Sequence, residues 1–458
     1  MVANDTYKEL GEAAWSWVLD QVREDDGPWL PEAVTEDGRR DADGGREGAG
    51  GPDPRPAKDR DSLYAGIAGL APVLTEIEQY RELDGRERDL AAGIVSRLAA
   101  GAAENAEPSL YDGLAGDVTA LKLLSPGAER AALRRLAALA TPDGWRTTLE
   151  YKPGSDAPLT DVVMGTAGVV MGAVWAGGEY ADEVAATGCE ALLRTADRTA
   201  AGLDWGISPG AASRSPNYSH GTAGIASALA VAGVALRRDD FVAAAVDGAR
   251  HVLSAGSLED GGFVVPHTIP PSKREVEPLT YSWCHGPTGT SQMFAALSYA
   301  GVAEVDGHGV EDLRQRCLTS VLTSGVPDRL RPGFWDNDGR CCGTAGVGDV
   351  LLDAAQDLGP GERADTLVRA ARRMGDALVE RAVRDAAGAR WRFVEYRQEQ
   401  PLLPPGTSWM QGAAGIAAYL LRLGRFVGTG PDAPVVDRPD QWWAVPARLR
   451  VTAPRAER

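Results

Sequence analysis

The fold of this chain is decided by a short stretch near its middle, residues 219–232, which reads SHGTAGIASALAVA. A Gly-Thr-Ala-Gly motif stands near its start, and a run of small, mostly apolar residues follows it without a break. Such a run is apolar on every side, as a helix that is buried all round must be. The two glycines let backbones approach closely at the start of that helix. This one stretch therefore predicts a junction that leads directly into a fully buried helix.

Versions of this motif recur along the chain. Seven copies of Gly-x-x-Gly lie between 47 and 69 residues apart. They start at Gly66, Gly113, Gly165, Gly221, Gly286, Gly343 and Gly412. Repetition at such a period indicates a repeat architecture. The units also contain amphipathic stretches, such as the one in which Leu313, Cys317 and Val321 recur at every fourth position between charged residues. This second pattern is typical of a half-exposed helix.

One buried helix and one half-exposed helix, repeated seven times, predict an all-α fold. We expect an α/α toroid, in which seven inner and seven outer helices form a closed ring. An open helical solenoid is the alternative architecture. We prefer the ring because inner helices that are apolar all round need neighbours on both sides. Residues 258–282, which contain Pro270 and Pro271, predict a loop over one face of this ring.

The repeats define the domain organisation. We assign residues 61–428 to the ring and residues 1–60 to an N-terminal helix followed by a flexible linker rich in Gly, Pro and charge. Residues 429–458 form a Pro-rich tail, which Trp442 and Trp443 are expected to pack down. The motifs extend over nearly the whole of residues 61–428, so we predict no second folded domain.

Composition excludes several classes of protein. The chain has 458 residues and a formal net charge of −18, whereas nucleic-acid binders need a basic surface. Its longest apolar runs are shorter than the roughly 20 residues that cross a bilayer. The N-terminus lacks the basic and apolar regions of a secretory signal, so we expect a cytoplasmic protein. Five cysteines, an odd number, argue against a disulfide framework and raise the question of metal binding or catalysis.

The cysteines are concentrated at the motifs. Cys284 and Cys341 each stand two residues before a motif in adjacent units, and Cys342 follows directly. Equivalent positions of a ring lie at one level, so these thiols should face one another. Three thiolates suit zinc, and three protein ligands with one open position are typical of a catalytic zinc site. A fourth ligand, His285 or His220, would make the site structural, and small residues that only pack beside glycines are the simplest alternative.

Candidate general acids and bases also stand at equivalent positions just before the motifs, and we call this shared placement the junction register. His220 and His285 stand directly before motifs, and Asp161 precedes the third motif and could orient His220. Imidazole titrates near neutral pH and suits proton transfer, although each of these side chains could equally serve the junction or cap a helix. Cys189 and Cys317 lie on apolar faces and are expected to be inert core residues. The other histidines have no such register: His251, His267 and His308.

These residues resemble the LanC lanthionine cyclases and the related eukaryotic LanC-like proteins over about residues 60–425. The resemblance lies in SLYAGIAG from Ser62, Asp161 with GTAG from Gly165, SHGTAG from Ser219, WCHG from Trp283 and CCGTAG from Cys341. It implies a seven-plus-seven α/α toroid with zinc at one end. It also implies addition of a peptide cysteine thiol to dehydroalanine or dehydrobutyrine, which yields lanthionine or methyllanthionine.

The resemblance also implies roles for individual residues. Cys284, Cys341 and Cys342 would be the zinc ligands, His220 and Asp161 would be catalytic, and His285 would donate a proton to the enolate.

Three positions depart from the family pattern. Cys342 stands where the family commonly has a His ligand. Thr280 stands where bacterial cyclases often have Arg, and the nearest arginine is Arg274. His285 stands where many bacterial cyclases have Tyr, whereas the eukaryotic relatives have His. These departures leave the arginine's role unassigned and predict a more nucleophilic bound sulfur.

The leading hypothesis is a stand-alone, zinc-dependent lanthionine cyclase, a lyase that forms carbon–sulfur bonds. Its partners would be a dehydrated precursor peptide and a separate dehydratase, because the seven units occupy nearly all of the chain. One alternative adds glutathione or another small thiol to dehydroamino acids. Another is a non-catalytic zinc-containing scaffold or receptor. A thiol-alkylating prenyltransferase is the weakest, because no acidic residue stands in the register beside Cys284 and Cys341 to act as the usual carboxylate ligand.

Overall fold

The structure is a computed structural model, and it describes residues 4–31, 34, 60–149, 157–271, 278–328, 337–395, 399–441 and 443. Over these residues it contains fourteen α-helices. They are α1 (Asn4–Gln21), α2 (Ala71–Glu78), α3 (Gly85–Gly101), α4 (Leu114–Leu124), α5 (Arg130–Leu139), α6 (Thr166–Ala176), α7 (Ala181–Thr195), α8 (Thr222–Leu236), α9 (Asp239–Ala255), α10 (Pro287–Tyr299), α11 (Val310–Thr323), α12 (Thr344–Leu358), α13 (Glu362–Arg381) and α14 (Ala413–Thr429). A 3₁₀ helix, Ile67–Leu70, leads into α2.

The helices form two concentric rings. The even-numbered helices begin at or just after the glycine motifs and form the inner ring, in which each helix contacts the next and α14 returns to contact α2. The odd-numbered helices lie outside them. The N-terminal helix α1 packs against α14 and completes the outer ring. The predicted all-α toroid is therefore confirmed, and the ring is closed rather than an open solenoid.

The connections contain four short antiparallel strand pairs. They are β1 (Asp197–Arg198) with β2 (Leu203–Asp204), β3 (Glu304–Val305) with β4 (His308–Gly309), β5 (Val383–Asp385) with β6 (Gly388–Arg390), and β7 (Arg392–Val394) with β8 (Leu402–Pro405). Each pair is a separate two-stranded sheet. The strands therefore lie within the connections between helices and do not form a layer of their own.

The inner and outer helices differ in how much of their surface is buried, as the sequence pattern predicts. Every residue of the inner helix α6 is buried, because neighbouring helices cover it on all sides. In the outer helix α5 only Ala132, Leu133 and Leu136 are buried, and these residues form the stripe that faces inward. None of the described helices is long and apolar enough to cross a membrane.

A closed ring of backbone hydrogen bonds joins the seven junctions. The residue two positions before each motif donates its N–H to the carbonyl of the equivalent residue in the next unit, at between 2.8 and 3.3 Å. The order is Tyr64, Tyr111, Val163, Ser219, Cys284, Cys341, Met410 and back to Tyr64. The prediction that equivalent junction residues lie at one level is therefore confirmed, and each is fixed directly to its neighbours.

The second glycine of the motif is required because a backbone carbonyl approaches it closely. A Cβ atom at Gly224 would lie 1.9 Å from the carbonyl oxygen of Tyr218, and one at Gly346 would lie 1.8 Å from that of Arg340. Both separations are far below van der Waals contact, so no residue with a side chain fits. In each case the carbonyl belongs to the residue six positions earlier, which shows that the junction repeats as one geometry.

The C-terminal segment fills the bore of the ring. It leaves the end of α14 and runs back between the inner helices towards their N-terminal ends. Gln356, near the end of α12, donates to the carbonyls of Pro431 and Ala433. Tyr218, which precedes α8, donates to the carbonyl of Asp440 at 2.9 Å. The segment therefore closes the bore just beneath the level of the junctions.

Buried charges anchor this segment to the inner ring. The Asp349 carboxylate accepts from Arg340 and Arg422 at 2.7 Å and from Arg438 of the tail at 2.8 Å. Burial raises the pKa of Asp349, but the three guanidinium groups outweigh it and hold that pKa well below its usual range. Removing one partner of a buried charge pair costs about 3–5 kcal/mol, so Asp349 holds the tail firmly in place.

Several predicted features lie partly or wholly outside the described residues. Of the predicted linker between the N-terminal helix and residue 61, residues 32–33 and 35–59 lie outside the described residues. Val34 is described, and its N–H donates to the carbonyl of Pro405 at 3.0 Å. Trp443 donates to Asp437 at 2.9 Å, whereas Trp442 and Arg274 lie outside the described residues. The domain boundaries therefore stay predictions.

A buried carboxyl in the second unit gives a test of the folded core. Burial raises the pKa of Asp117 to about 8, although Asn105 hydrogen-bonds to it at 3.1 Å. At pH 7 the unfolded chain is ionised at this position while the folded chain retains the proton, which disfavours folding by about 1.4 kcal/mol for each unit of pKa difference. We therefore expect Asp117→Asn to raise the free energy of unfolding by about 2–4 kcal/mol at pH 7.

The measurement is urea unfolding at pH 7 and again near pH 4. The gain should shrink towards pH 4, because the unfolded carboxyl then also binds a proton. Glu104→Gln, at an exposed position close by in the chain, is the control and should change little. A loss of stability at pH 7 in Asp117→Asn would mean that the folded protein requires the carboxylate.

Candidate metal centre

The backbone ring brings three thiols together at the N-terminal ends of the inner helices. Cys284 and Cys341 are neighbours in that ring, because the N–H of Cys284 donates to the carbonyl of Cys341 at 3.1 Å. The three Sγ atoms of Cys284, Cys341 and Cys342 lie within 4.8 Å of one another. Cys342 is 3.3 Å from Cys284 and 3.4 Å from Cys341, sulfur to sulfur. All three residues are buried.

This cluster fits a tetrahedral zinc ion. Zinc–sulfur bonds of about 2.3 Å place two sulfurs of one tetrahedron about 3.8 Å apart, which is within a small adjustment of the separations present. Among the described residues the candidate ligand group contains these three cysteines and no fourth side chain. That count agrees with the open pattern of a catalytic site.

The thiols differ in acidity. Burial raises the pKa of the Cys284 thiol, but hydrogen bonds from Cys341 and Cys342 outweigh it and hold that pKa well below its usual range. The hydrogen bond to Cys284 in turn raises the pKa of Cys341 and of Cys342 well above their usual range. A bound cation would favour the ionised form of all three thiols.

The remaining cysteines are core residues, as predicted. Cys189 in α7 and Cys317 in α11 are fully buried, and burial raises the pKa of each thiol. Neither belongs to the candidate ligand group.

An aspartate–histidine pair lies at the same end of the ring as the thiols. We call this end, where the inner helices have their N-termini, the mouth of the toroid. Asp161 and His220 come from consecutive junctions, and Oδ2 of Asp161 is 2.6 Å from Nδ1 of His220. Asp161 is fully buried, whereas the His220 side chain is 32% exposed, so part of the imidazole is open to solvent. Burial lowers the pKa of His220, but the hydrogen bond and the charge of Asp161 outweigh it, and the pKa is raised.

His285 stands between this pair and the thiols. Its ring centroid lies 5.7 Å from that of His220, and its backbone follows Cys284 directly. Ser282 supports the turn, because its hydroxyl lies 3.2 Å from the Cys284 sulfur and accepts from the N–H of His285 at 3.3 Å. The structure thus brings all six predicted site residues to one mouth.

The matched family model carries the description "Lanthionine synthetase C-like protein" and covers residues 57–425. The chain belongs to this family. Among solved structures, the LanC-like chain is similar to nisin cyclase, with a TM-score of 0.53 and 14% identity over 80% of this chain and 89% of that chain. At this identity the likeness shows the fold alone.

A second solved structure, unsaturated glucuronyl hydrolase from Bacillus sp. GL1, gives a TM-score of 0.44 and 13% identity over 93% of this chain and 97% of that chain. This value is too low to support an argument. A search of curated protein sequences gives no significant match.

The position where bacterial LanC cyclases often have arginine serves the backbone here. Thr280 is buried, and its hydroxyl donates to the carbonyl of His285. A buried side chain that is turned towards the chain's own backbone cannot reach a substrate. Thr280 therefore shapes the turn that carries Cys284 and His285.

Two residues at the site were not identified by sequence reasoning. The ring of His267, from the loop between α9 and α10, lies 4.0 Å from that of His285, and no motif marks it. Tyr64 lies beside the thiols, and burial, together with the neighbouring Cys341, raises the pKa of Tyr64 well above its usual range. Tyr64 stands two residues before the first motif, in the position that Cys284 and Cys341 occupy in their units, so this position was an available signal.

Proposed function

We propose that this LanC-like protein is a zinc-dependent lanthionine cyclase, which adds cysteine thiols of a dehydrated peptide to dehydroalanine or dehydrobutyrine. The observation that carries the proposal is the cluster of Cys284, Cys341 and Cys342 beside the Asp161–His220 pair in one mouth of the toroid. The three cysteines would hold the zinc ion. When bound, zinc supplies a Lewis acid that favours the deprotonated form of an incoming thiol.

The protein's own residues account for the proton transfers. Asp161 holds the N–H of Nδ1, so that Nε2 of His220 is left to accept a proton from the thiol. The raised pKa makes this imidazole a stronger base, and the Asp161 carboxylate stabilises the cation that forms. A positioned general base typically contributes about 10²–10⁴-fold in rate.

The reaction is an addition and has no leaving group. A sulfur–carbon bond forms at Cβ of the dehydro residue as its double bond opens, and the electrons move to the carbonyl as an enolate. A proton then returns to Cα, and we assign its delivery to His285, which lies beside Cys284 on the side that faces His220. His220 then releases the proton that it gained to solvent, and His285 regains one from solvent. The product has the atoms of the two reactants, so no oxidant or reductant is needed.

Two further functions remain as alternatives. Nothing in the three-sulfur cluster restricts the thiol to a peptide, so addition of glutathione or another small thiol is the second candidate, and His285 favours it because the eukaryotic relatives have His there. A non-catalytic zinc scaffold would need a closed site. The absence of a fourth side chain from the ligand group over the described residues speaks against a scaffold.

The test begins with metal content and thiol consumption. We expect about one zinc ion per purified chain and, with a peptide carrying one dehydroalanine and one cysteine, loss of the alkylatable thiol with no change in mass. A parallel reaction offers a cysteine-free dehydroalanine peptide and glutathione, whose adduct is detected by its added mass.

The outcomes separate the candidates. Ring closure much faster than glutathione addition supports the cyclase, and the reverse ratio supports the small-thiol enzyme. Zinc binding with neither reaction, together with a stable fourth protein ligand by X-ray absorption spectroscopy, would support the scaffold and contradict the proposal. A dehydratase, and a cytoplasmic location in which it works, also remain proposals; a gene for a Ser-, Thr- and Cys-rich peptide beside a dehydratase gene would support them.

A further inference from the structure

We propose that His267 is a positioning residue, which holds the imidazole of His285 in place beside the thiol cluster. The inference deepens the proposed function and rests on it for the kinetic consequence, but the contact between the two rings is independent of any reaction. His267 belongs to the loop between α9 and α10, which the sequence predicts to cross one face of the ring.

The backbone of His267 is fixed from two sides. Its carbonyl accepts from the side chain of Asn217 at 2.9 Å and from Ser215 at 3.4 Å. Its N–H donates to the carbonyl of Pro278 at 3.0 Å. Asn217 is fully buried, and its amide group also donates to the carbonyl of Pro266 at 2.8 Å. A buried asparagine thus fastens this loop to the segment that leads to His220.

Neighbouring backbone bonds extend this attachment. Arg214 and Ile269 exchange N–H and carbonyl groups at 2.9 and 2.8 Å, as in an antiparallel strand pair. The loop is therefore tied to residues of the fourth unit on both sides of His267. Its position is therefore set by the segment that leads to His220.

The ring of His267 meets the ring of His285 edge to face. Their centroids are 4.0 Å apart and the planes are 77° apart, so the contact is close and has the edge-to-face orientation that aromatic pairs favour. His267 is buried, whereas His285 is partly exposed, so His267 supports His285 from the protein side. A contact on that side limits the directions that the His285 ring can take.

The support matters because proton delivery depends on position. A misplacement of about 1 Å costs up to about 10²-fold in rate, so a reacting side chain needs neighbours that fix its rotamer by packing and hydrogen bonds. The backbone of His285 is fixed by Ser282 and Thr280, and Cys284 is a hydrogen-bond partner of its side chain. The edge-to-face contact with His267 adds a restraint on the orientation of the imidazole from the protein side.

The experiment compares His267→Ala with His267→Phe, which keeps an aromatic ring at the contact. We expect His267→Ala to retain zinc and to lower kcat of ring closure by about tenfold or more, with little change in KM for the peptide. We expect His267→Phe to recover most of that loss. His308→Ala is the matched control, because His308 lies in strand β4 and outside the junctions. This variant should behave like the unchanged protein.

A second readout does not depend on activity. The chain has five histidines, so the ring signals in a long-range ¹H–¹⁵N spectrum can be assigned with single variants. In His267→Ala the His285 signals should broaden or shift, and in His267→Phe they should stay close to their original positions. If His267→Ala fails to fold, His267→Leu, which keeps the volume without the ring, takes its place.

The inference is overturned if the His285 signals and kcat are both unchanged in His267→Ala, or if His267→Phe disturbs them as much as His267→Ala does. If the unchanged protein adds no thiol to any dehydro substrate, the proposed function fails, while the spectra still decide whether His267 positions His285.

Discussion

Cys284→Ala abolishes zinc binding and thiol addition together, if the three thiols hold the metal. The change leaves two sulfurs in a site that needs three protein ligands. Loss of a residue that only hydrogen-bonds to a metal ligand lowers metal affinity by roughly 10–100-fold, and loss of a ligand itself should lower the affinity for zinc by well more than that. Cys342→Ala should have the same effect. Metal content by mass spectrometry and competition with a chelator measure the first loss, and the ring-closure assay measures the second.

Matched variants make this result specific. Cys317→Ala removes a thiol that is just as buried but lies in the outer helix α11, and it should leave zinc content unchanged. Cys342→His keeps three ligands and introduces the residue that the family commonly has there, so it should retain zinc. Full ring closure by a metal-free Cys284→Ala/Cys342→Ala protein would refute the proposed mechanism.

His220→Ala is expected to retain zinc but to slow ring closure by about 10²–10⁴-fold, the usual worth of a positioned acid or base. The imidazole is not in the ligand group, so the metal should stay, whereas the proton acceptor is lost. Single-turnover rates with the dehydrated peptide measure the effect, and zinc content is determined on the same sample. An unchanged rate would mean that His220 serves only the structure of the junction.

Asp161→Asn is the companion variant, and its effect has a defined sign. The Asp161 charge and hydrogen bond raise the pKa of His220, so their removal should lower that pKa. Activity that needs neutral His220 is lost as the pH falls through this pKa, so the acidic limb of the kcat profile should move to lower pH in Asp161→Asn. A limb that stays in place would assign it to a different group.

Much of the fold was predictable because its determinants are local and repeated. Gly224 and Gly346 are required by contacts with carbonyls only six residues earlier, so the requirement for glycine can be recognised from the local sequence. The small apolar run after Gly221 predicted a buried helix, and seven such runs predicted the ring. The register also predicted that Cys284 and Cys341 would be neighbours, because a closed ring places equivalent residues side by side.

The details of the site were harder to predict. His267 stands in no motif, and it reaches His285 only because Asn217 and Pro278 fasten its loop. The role of Thr280 depends on the direction of its side chain, which sequence does not encode. The bore-filling tail could not be foreseen either, since Arg438 of the tail binds Asp349 of α12, which is distant in the chain.

The sequence by itself determined the sevenfold ring, the shared level of its junctions and the candidate ligands, because these follow from contacts within or between adjacent repeats. Only the tertiary structure decided which side chains complete the mouth and what closes the bore. Those contacts join segments that are distant in the chain and carry no repeated pattern, so their geometry exists only once the ring has closed.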